Sequence, residues 1–324
     1  METRELGRSG VTVTRIVLGC GNFGGVGSAP AFFGQGIPHD EAMRIMDAAW
    51  ELGITSFDTA DAYGGGRSES WIGEWIAARG SAVRDEITVE TKTFNPMEEG
   101  ADRGLGAHRI ERQAESSLRR LGLERLALYT AHDFDPDTPQ EETLRAFDAL
   151  VREGTVGAIG ASNFSAEQLA EALEISELEG LARYEWIQNS FSLLEQGDAE
   201  TVFPLCHEHG LGYEAFGPLA GGWLTGRYRR DTSYPEGSRM TQRPDGYRKY
   251  ETDAVFDALE ALEAHARARN VSMGGLAIAW LLGVPELTTV VVGPTRAEHL
   301  EPVREALALE LTAGEHADLG GLFA

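Results

Sequence analysis

An acid, a phenol, an amine and an imidazole stand at the ends of apolar segments in this chain. Asp58 and Tyr63 lie in ITSFDTADAYGGG (residues 54–66), Lys92 closes ITVETK, and His132 follows LALYTA. A phenol has a reference pKa of about 10, so Tyr63 alone is a poor acid–base group. A neighbouring ammonium stabilises the phenolate and lowers that value. Lys92 would supply the ammonium, Asp58 would hold it charged and in place, and His132 would hydrogen-bond a substrate oxygen. Such a set suits proton delivery to a carbonyl that becomes an alcohol. The same conversion needs a hydride, which no side chain carries, so a cofactor is implied. Other apolar segments end on groups that suit one. Ser162, Asn163 and Gln188 offer hydroxyl and amide groups for a carboxamide. Phe216 offers a flat face for a ring, and Thr295 with Arg296 at a predicted helix start makes an anion site suited to a phosphate.

These residues act together only if the segments that carry them converge. A hairpin is predicted over Thr3–Thr14, with its turn at Gly10. From Arg15 onward, short β-branched runs alternate with helical patterns. The strands are predicted at Arg15–Gly19, from Ile54, and at Ile87–Thr91, Leu126–Ala131, Val156–Ala161, Tyr184–Ile187, Leu211–Ala215 and Thr288–Val292. Thr138-x-x-Glu141 reads as a capping box for a helix to Arg152, Ser165 as the cap of a helix to Ile175, and Thr295 as the cap of a helix to Ala306. Pro218–Lys249 reads as a long polar loop, a length usually tied to function. Eight strand–helix units in 324 residues favour one (β/α)8 barrel domain over residues 1–324, with a C-terminal helix. In a barrel every one of the polar strand ends opens on the same mouth.

Composition narrows the partners. A net charge of −24 opposes contact with nucleic acid or anionic membranes. Two cysteines, Cys20 and Cys206, form no disulfide framework, and no apolar run long enough to span a bilayer or serve as a signal peptide is present, so a cytoplasmic protein is expected. Gly19-Cys-Gly21-Asn-Phe-Gly24 matches a dinucleotide fingerprint. No helix pattern opens until Pro38, so it reads as a loop at the barrel mouth. Cys206-His207-Glu208-His209 and Asp133-x-Asp135-x-Asp137 contain metal-ligand types at the wrong spacing. The first reads as a helix end and the second as a solvated acidic loop, so no metal is expected.

The ordered segments FDTADAYGGGRSE, VETK, LALYTAHDFD, GAIGASNFS, YEWIQNSFS, EAFGPLAGGWLTGRY and VVVGPTRAEHLEPV resemble those of the aldo-keto reductases over nearly the whole chain. That resemblance implies NADPH-dependent reduction of an aldehyde or ketone. It implies Tyr63 as proton donor, tuned by Lys92 and Asp58, with His132 orienting the carbonyl. It places Ser162, Asn163 and Gln188 on the nicotinamide carboxamide and Phe216 on its ring. Gly217, Pro218, Leu219, Gly221, Leu224, Gly226 and Arg227 fall beside the pyrophosphate, and Gly293, Thr295, Arg296 and His299 around the adenosine phosphate. Phe216 stands where many relatives have tyrosine, and Arg227 where they have lysine. Pro302 and Val303 stand where relatives often have a glutamate and an asparagine that touch adenine. A keto-sugar reductase of nucleotide-sugar metabolism and a regulatory subunit that holds NADP with little turnover are the alternative readings.

Overall fold

Alternating short strands and amphipathic helices close into a barrel in the computed structural model, which describes residues 1–323. A hairpin, β1 (Thr3–Glu5) and β2 (Thr12–Thr14), precedes it. The barrel strands are β3 (Ile16–Gly19), β4 (Ser56–Asp58), β5 (Thr88–Thr93), β6 (Leu126–Ala131), β7 (Val156–Ser162), β8 (Tyr184–Ser190), β9 (Gly212–Phe216) and β10 (Thr289–Val292). All pair in parallel, and β10 closes the ring on β3. The helices on the outside are α1 (His39–Glu51), α2 (Arg67–Arg79), α3 (Ser81–Glu86), α4 (Ala107–Leu121), α5 (Gln140–Arg152), α6 (Ala166–Glu179) and α7 (Asp198–His209). They continue as α8 (Arg239–Gln242), α9 (Asp253–Ala268), α10 (Met273–Leu282), α11 (Glu301–Leu307) and α12 (Ala313–Gly321). Among the described residues no helix is long and apolar enough to cross a membrane.

The hairpin seals the end of the barrel away from the mouth. Leu6 and Val13 pack against Leu128, Ala158 and Trp186 inside the strands. Trp186 fits there because β7 carries Gly160 opposite it: a Cβ on Gly160 would lie 2.1 Å from the indole. Gly160→Ala is therefore expected to cost roughly 1–3 kcal/mol as an overpacked core, read as a lower urea midpoint with an unchanged slope.

Local differences from the sequence reading have simple causes. α5 begins one residue late, with Pro139 as its N-cap and no side-chain cap, so the Thr138–Glu141 box does not form; Glu141 pairs with Arg145 instead. α6 does carry Ser165 as its cap, in a capping box with Gln168, and runs past Ile175 to Glu179, with Gly180 as its C-cap. Thr295 does not cap a helix. Arg296 is the N-cap of a 3-10 turn, Ala297–Leu300, that leads into α11, and the Thr295 hydroxyl meets His299 Nδ1 at 3.0 Å. The long loop is mostly folded. Trp223 sits among Tyr228, Tyr234, Tyr250 and Phe256, and Arg239 and Arg243 reach across to Asn22 Oδ1 and Val26 O at 2.6 and 3.1 Å.

Candidate active site

Strand alternation turns Glu90 and Lys92 of β5 into the barrel beside Asp58 at the end of β4. Lys92 and Asp58 form an ion pair whose side chains are 0 % and 4 % exposed. The ammonium also donates to Thr59 O at 3.0 Å, and Asp58 Oδ1 accepts from Gln188 Nε2 at 3.0 Å. Burial would push Lys92 down, but the negative charge of Asp58, with that of Glu90, outweighs it, so the amine is held charged. Asp58 rises to about 6 through burial, against the pull of Lys92.

Tyr63 lies just past β4 on a 3-10 turn, Tyr63–Gly65, that three glycines with positive φ, Gly64, Gly65 and Gly66, allow. Its ring faces Lys92 Nζ at 5.3 Å, and its hydroxyl lies 3.4 Å from His132 Nε2. The sequence reading expected Lys92 to lower the phenol. Instead burial pushes it up to about 12; Lys92 opposes that rise, and Asp58 and Glu90 add to it. Tyr63 is thus a neutral phenol in its resting state. His132 is driven well below its usual range by burial and then by Lys92, so it is neutral. Asn95 Nδ2 lies 3.4 Å from His132 Nδ1. With the Asn95 amide in this orientation its nitrogen donates to Nδ1, which puts the ring proton on Nε2, on the Tyr63 side.

The remaining predicted residues form three further groups. Ser162 and Gln188 are buried neighbours across β7 and β8. Asn163, left-handed at φ 59°, donates to His132 O at 2.9 Å and Ser162 Oγ at 3.1 Å, tying that strand end to the histidine. Phe216 ends β9 half-buried, and the chain beyond it turns sharply. Gly217, Ala220, Gly221, Gly222 and Gly226 all have positive φ. For Ala220 that is a strained backbone of the kind concentrated at ligand sites, and such runs of backbone N–H form anion cradles. Pro218 and Leu224 are buried beneath this turn, with Leu219 half-buried.

The last group lines a cavity of about 670 Å³ with Pro38, Glu41, Arg44, Thr295, Arg296, Glu298 and His299. Burial, Arg296 and Arg227 lower His299, so Arg227 reaches this group electrostatically. Gly293 leads into it from β10. Val303 is buried in the core, and Pro302 lies against α10, where a Cβ on Gly274 would touch it.

Sequence reasoning missed Asn95, Glu41, Glu90 and Glu214. Asn95 stands three residues past Lys92, where the strand's alternation no longer constrains it. Glu41 is an acid in the first turn of α1, and in the fold it accepts from Ala297 N at 3.2 Å and so occupies the predicted anion site. The other readings of ligand-type clusters also change in detail. Asp135 is buried, not solvated, and accepts from the backbone of Leu105 and Asp137 at 2.7 and 3.0 Å. Cys206 is buried in α7 while His207 and Glu208 are exposed. Among the described residues no group of three or more His, Cys, Asp or Glu side chains is placed to hold a metal.

A family profile described as "Aldo/keto reductase family" matches residues 15–322. The chain is 34% identical over 322 residues to an oxidoreductase of Bacillus subtilis, covering 96% of this chain and 92% of that one. It is 32% identical to L-glyceraldehyde 3-phosphate reductase of Escherichia coli, covering 95% and 88%. It is 30% identical to a probable voltage-gated potassium channel subunit beta of Arabidopsis thaliana, covering 95% and 91%.

Proposed function

Because the chain belongs to the aldo/keto reductase family, we propose that it reduces a small aldehyde or ketone to the alcohol with NADPH, Tyr63 giving the proton. The observation that carries this reading is the sealed Lys92–Asp58 pair beneath Tyr63, whose hydroxyl faces the neutral His132. His132 Nε2–H would hold the carbonyl oxygen, and the Tyr63 hydroxyl would hand its proton to that oxygen as charge builds there. Lys92 uses two donors on Asp58 and Thr59 O. Its third can steady the phenolate, which is otherwise costly at this buried site.

The nicotinamide cofactor supplies the hydride. Ser162, Asn163 and Gln188 would hold its carboxamide, Phe216 its ring, and the Gly217–Arg227 turn its pyrophosphate. These residues fit such a group: they supply amide and hydroxyl donors, a ring face and a strained anion cradle, in that order round the mouth. Thr295, Arg296 and His299 would hold the adenosine phosphate, with Arg44 as an added cation.

Glu41 opposes that phosphate. It sits in the same cavity, bonded to Arg44 and to Ala297 N. Glu41→Gln removes a like charge and leaves the backbone donor of Ala297 on a neutral, weaker acceptor. It is expected to tighten NADP⁺ by roughly three- to tenfold while NAD⁺ stays within about twofold. Titration of tryptophan fluorescence at low salt reads both, and equal gains for the two cofactors would refute the placement.

The function itself is tested by NADPH consumption with a panel of small aldehydes, a phosphorylated aldehyde and nucleotide-linked keto-sugars. The phosphorylated aldehyde is included because a similar protein is named for that substrate. Similarity to a channel subunit favours a second reading, a NADP-holding subunit. Tight NADPH binding with no turnover across the panel would select it.

A further inference from the structure

Below the tetrad the barrel carries a second set of acids that the proposed chemistry does not use. Glu90 of β5 and Glu214 of β9 are buried in the middle of the barrel, with Gln188 of β8 between them and Asp58. The single Gln188 Nε2 lies 3.0 Å from Asp58 Oδ1, 3.2 Å from Glu214 Oε2 and 3.4 Å from Glu90 Oε2. An amide nitrogen has two hydrogens, so it cannot bond all three oxygens. Three buried carboxylates that close also repel one another, and the cation among them, Lys92, is committed to Asp58. One acid must therefore keep a proton.

The partners decide which one. Glu90 Oε1 accepts from the Thr130 hydroxyl at 2.5 Å and from Trp186 Nε1 at 3.3 Å. Those donors make Glu90 the hydrogen-bond acceptor of the set. Asp58 accepts from Lys92 and, with a value of about 6, is ionised at neutral pH. Among the described residues the hydrogen-bonding neighbours of the Glu214 carboxyl are Gln188 and Glu90. We propose that Glu214 stays protonated and donates to Glu90, and that this shared proton pins the Gln188 nitrogen into the barrel interior, leaving the Gln188 oxygen for the carboxamide of the cofactor. The second half rests on the nicotinamide reading above.

Burial, then the charges of Glu90 and Asp58, push Glu214 well above its usual range, against the Gln188 hydrogen bond. The other titratable groups that face this cluster are Lys92 of β5, Tyr63 above it and Cys20 after β3. Glu90 and Glu214 are positioning residues. Neither touches the reacting atoms.

The sign of the pH dependence follows. Below the unfolded carboxyl value of 4.5 both states hold the proton. Above it the unfolded chain releases the proton and the folded chain keeps it, so stability falls as pH rises toward the raised folded value. Glu214→Gln keeps a neutral donor of the same reach and has no proton to lose. Between about pH 5 and 7, wild-type unfolding is expected to grow easier relative to E214Q by about tenfold per pH unit. Urea titrations of both proteins at several pH values read this. Equal pH slopes, or an E214Q deficit that does not change with pH, would overturn the shared proton.

The positioning role has its own readout. Glu214→Leu removes the donor and is expected to weaken NADP⁺ binding by about tenfold, with E214Q restoring it. E214L binding as tightly as wild type would overturn that half. Should E214L not fold, E214Q still decides the shared proton by its slope. A wild-type protein that binds no nicotinamide cofactor would instead refute the reading of the site, and the two slopes would be unaffected.

Discussion

Tyr63→Phe is expected to lower kcat for carbonyl reduction by about 10²–10⁴, the range for loss of a positioned general acid. NADPH affinity should stay within about threefold, because the lost atom meets only His132 and the end of Lys92. The ring remains to fill its place, so stability should change little. The buried environment that holds the phenol near 12 also forecasts the shape of the wild-type profile. Tyr63 is a phenol throughout the neutral and mildly alkaline range, and reduction should not fall with a midpoint near 10. Stopped-flow measurement of NADPH oxidation, with cofactor titrated separately, reads both quantities. A variant that keeps wild-type turnover would remove Tyr63 from the proton step, and a fall in cofactor affinity equal to the fall in kcat would give it a binding role instead.

The barrel and its mouth were legible because each signal was local. Period-two strands, turn glycines and polar strand ends such as Lys92 and His132 need no distant information to be read. What alternation could not tell is what lies across the barrel. Glu90 and Glu214 are 124 residues apart and meet Gln188 only when eight strands close. Their presence within predicted strands was the available sign, since an acid inside an apolar strand needs a partner. The direction of the Tyr63 shift failed for the same reason. Counting Lys92 as a neighbour was right, but desolvation by the surrounding core is the larger effect and is visible only in the fold. Thr295 and Thr138 have the right types at the right spacing for caps, yet the chain enters each helix at a later residue, Arg296 and Pro139. Local spacing cannot see which residue the tertiary path selects.

Lys92→Met should damage stability and catalysis together, and a second substitution should separate them. Removing one partner of a buried ion pair leaves the other charge unpaired, at a cost of roughly 3–5 kcal/mol. The charge left behind is Asp58. Burial raises it to about 6 even with Lys92 present, and without the ammonium it rises further and takes up a proton. Its folded value then lies above its unfolded value of 3.8. The K92M deficit should therefore be small in acid, where both states are protonated, and grow as pH rises through the folded value. Asp58→Asn in the K92M background removes the charge that suffers, so the melting temperature at neutral pH should recover in the double variant. Turnover should not recover. The phenolate left after proton transfer still lacks its cation, and kcat should remain down by about 10²–10³. A double variant that regains activity along with stability would mean that Lys92 serves only the fold, and that the proton leaves Tyr63 without help from the charge beneath it.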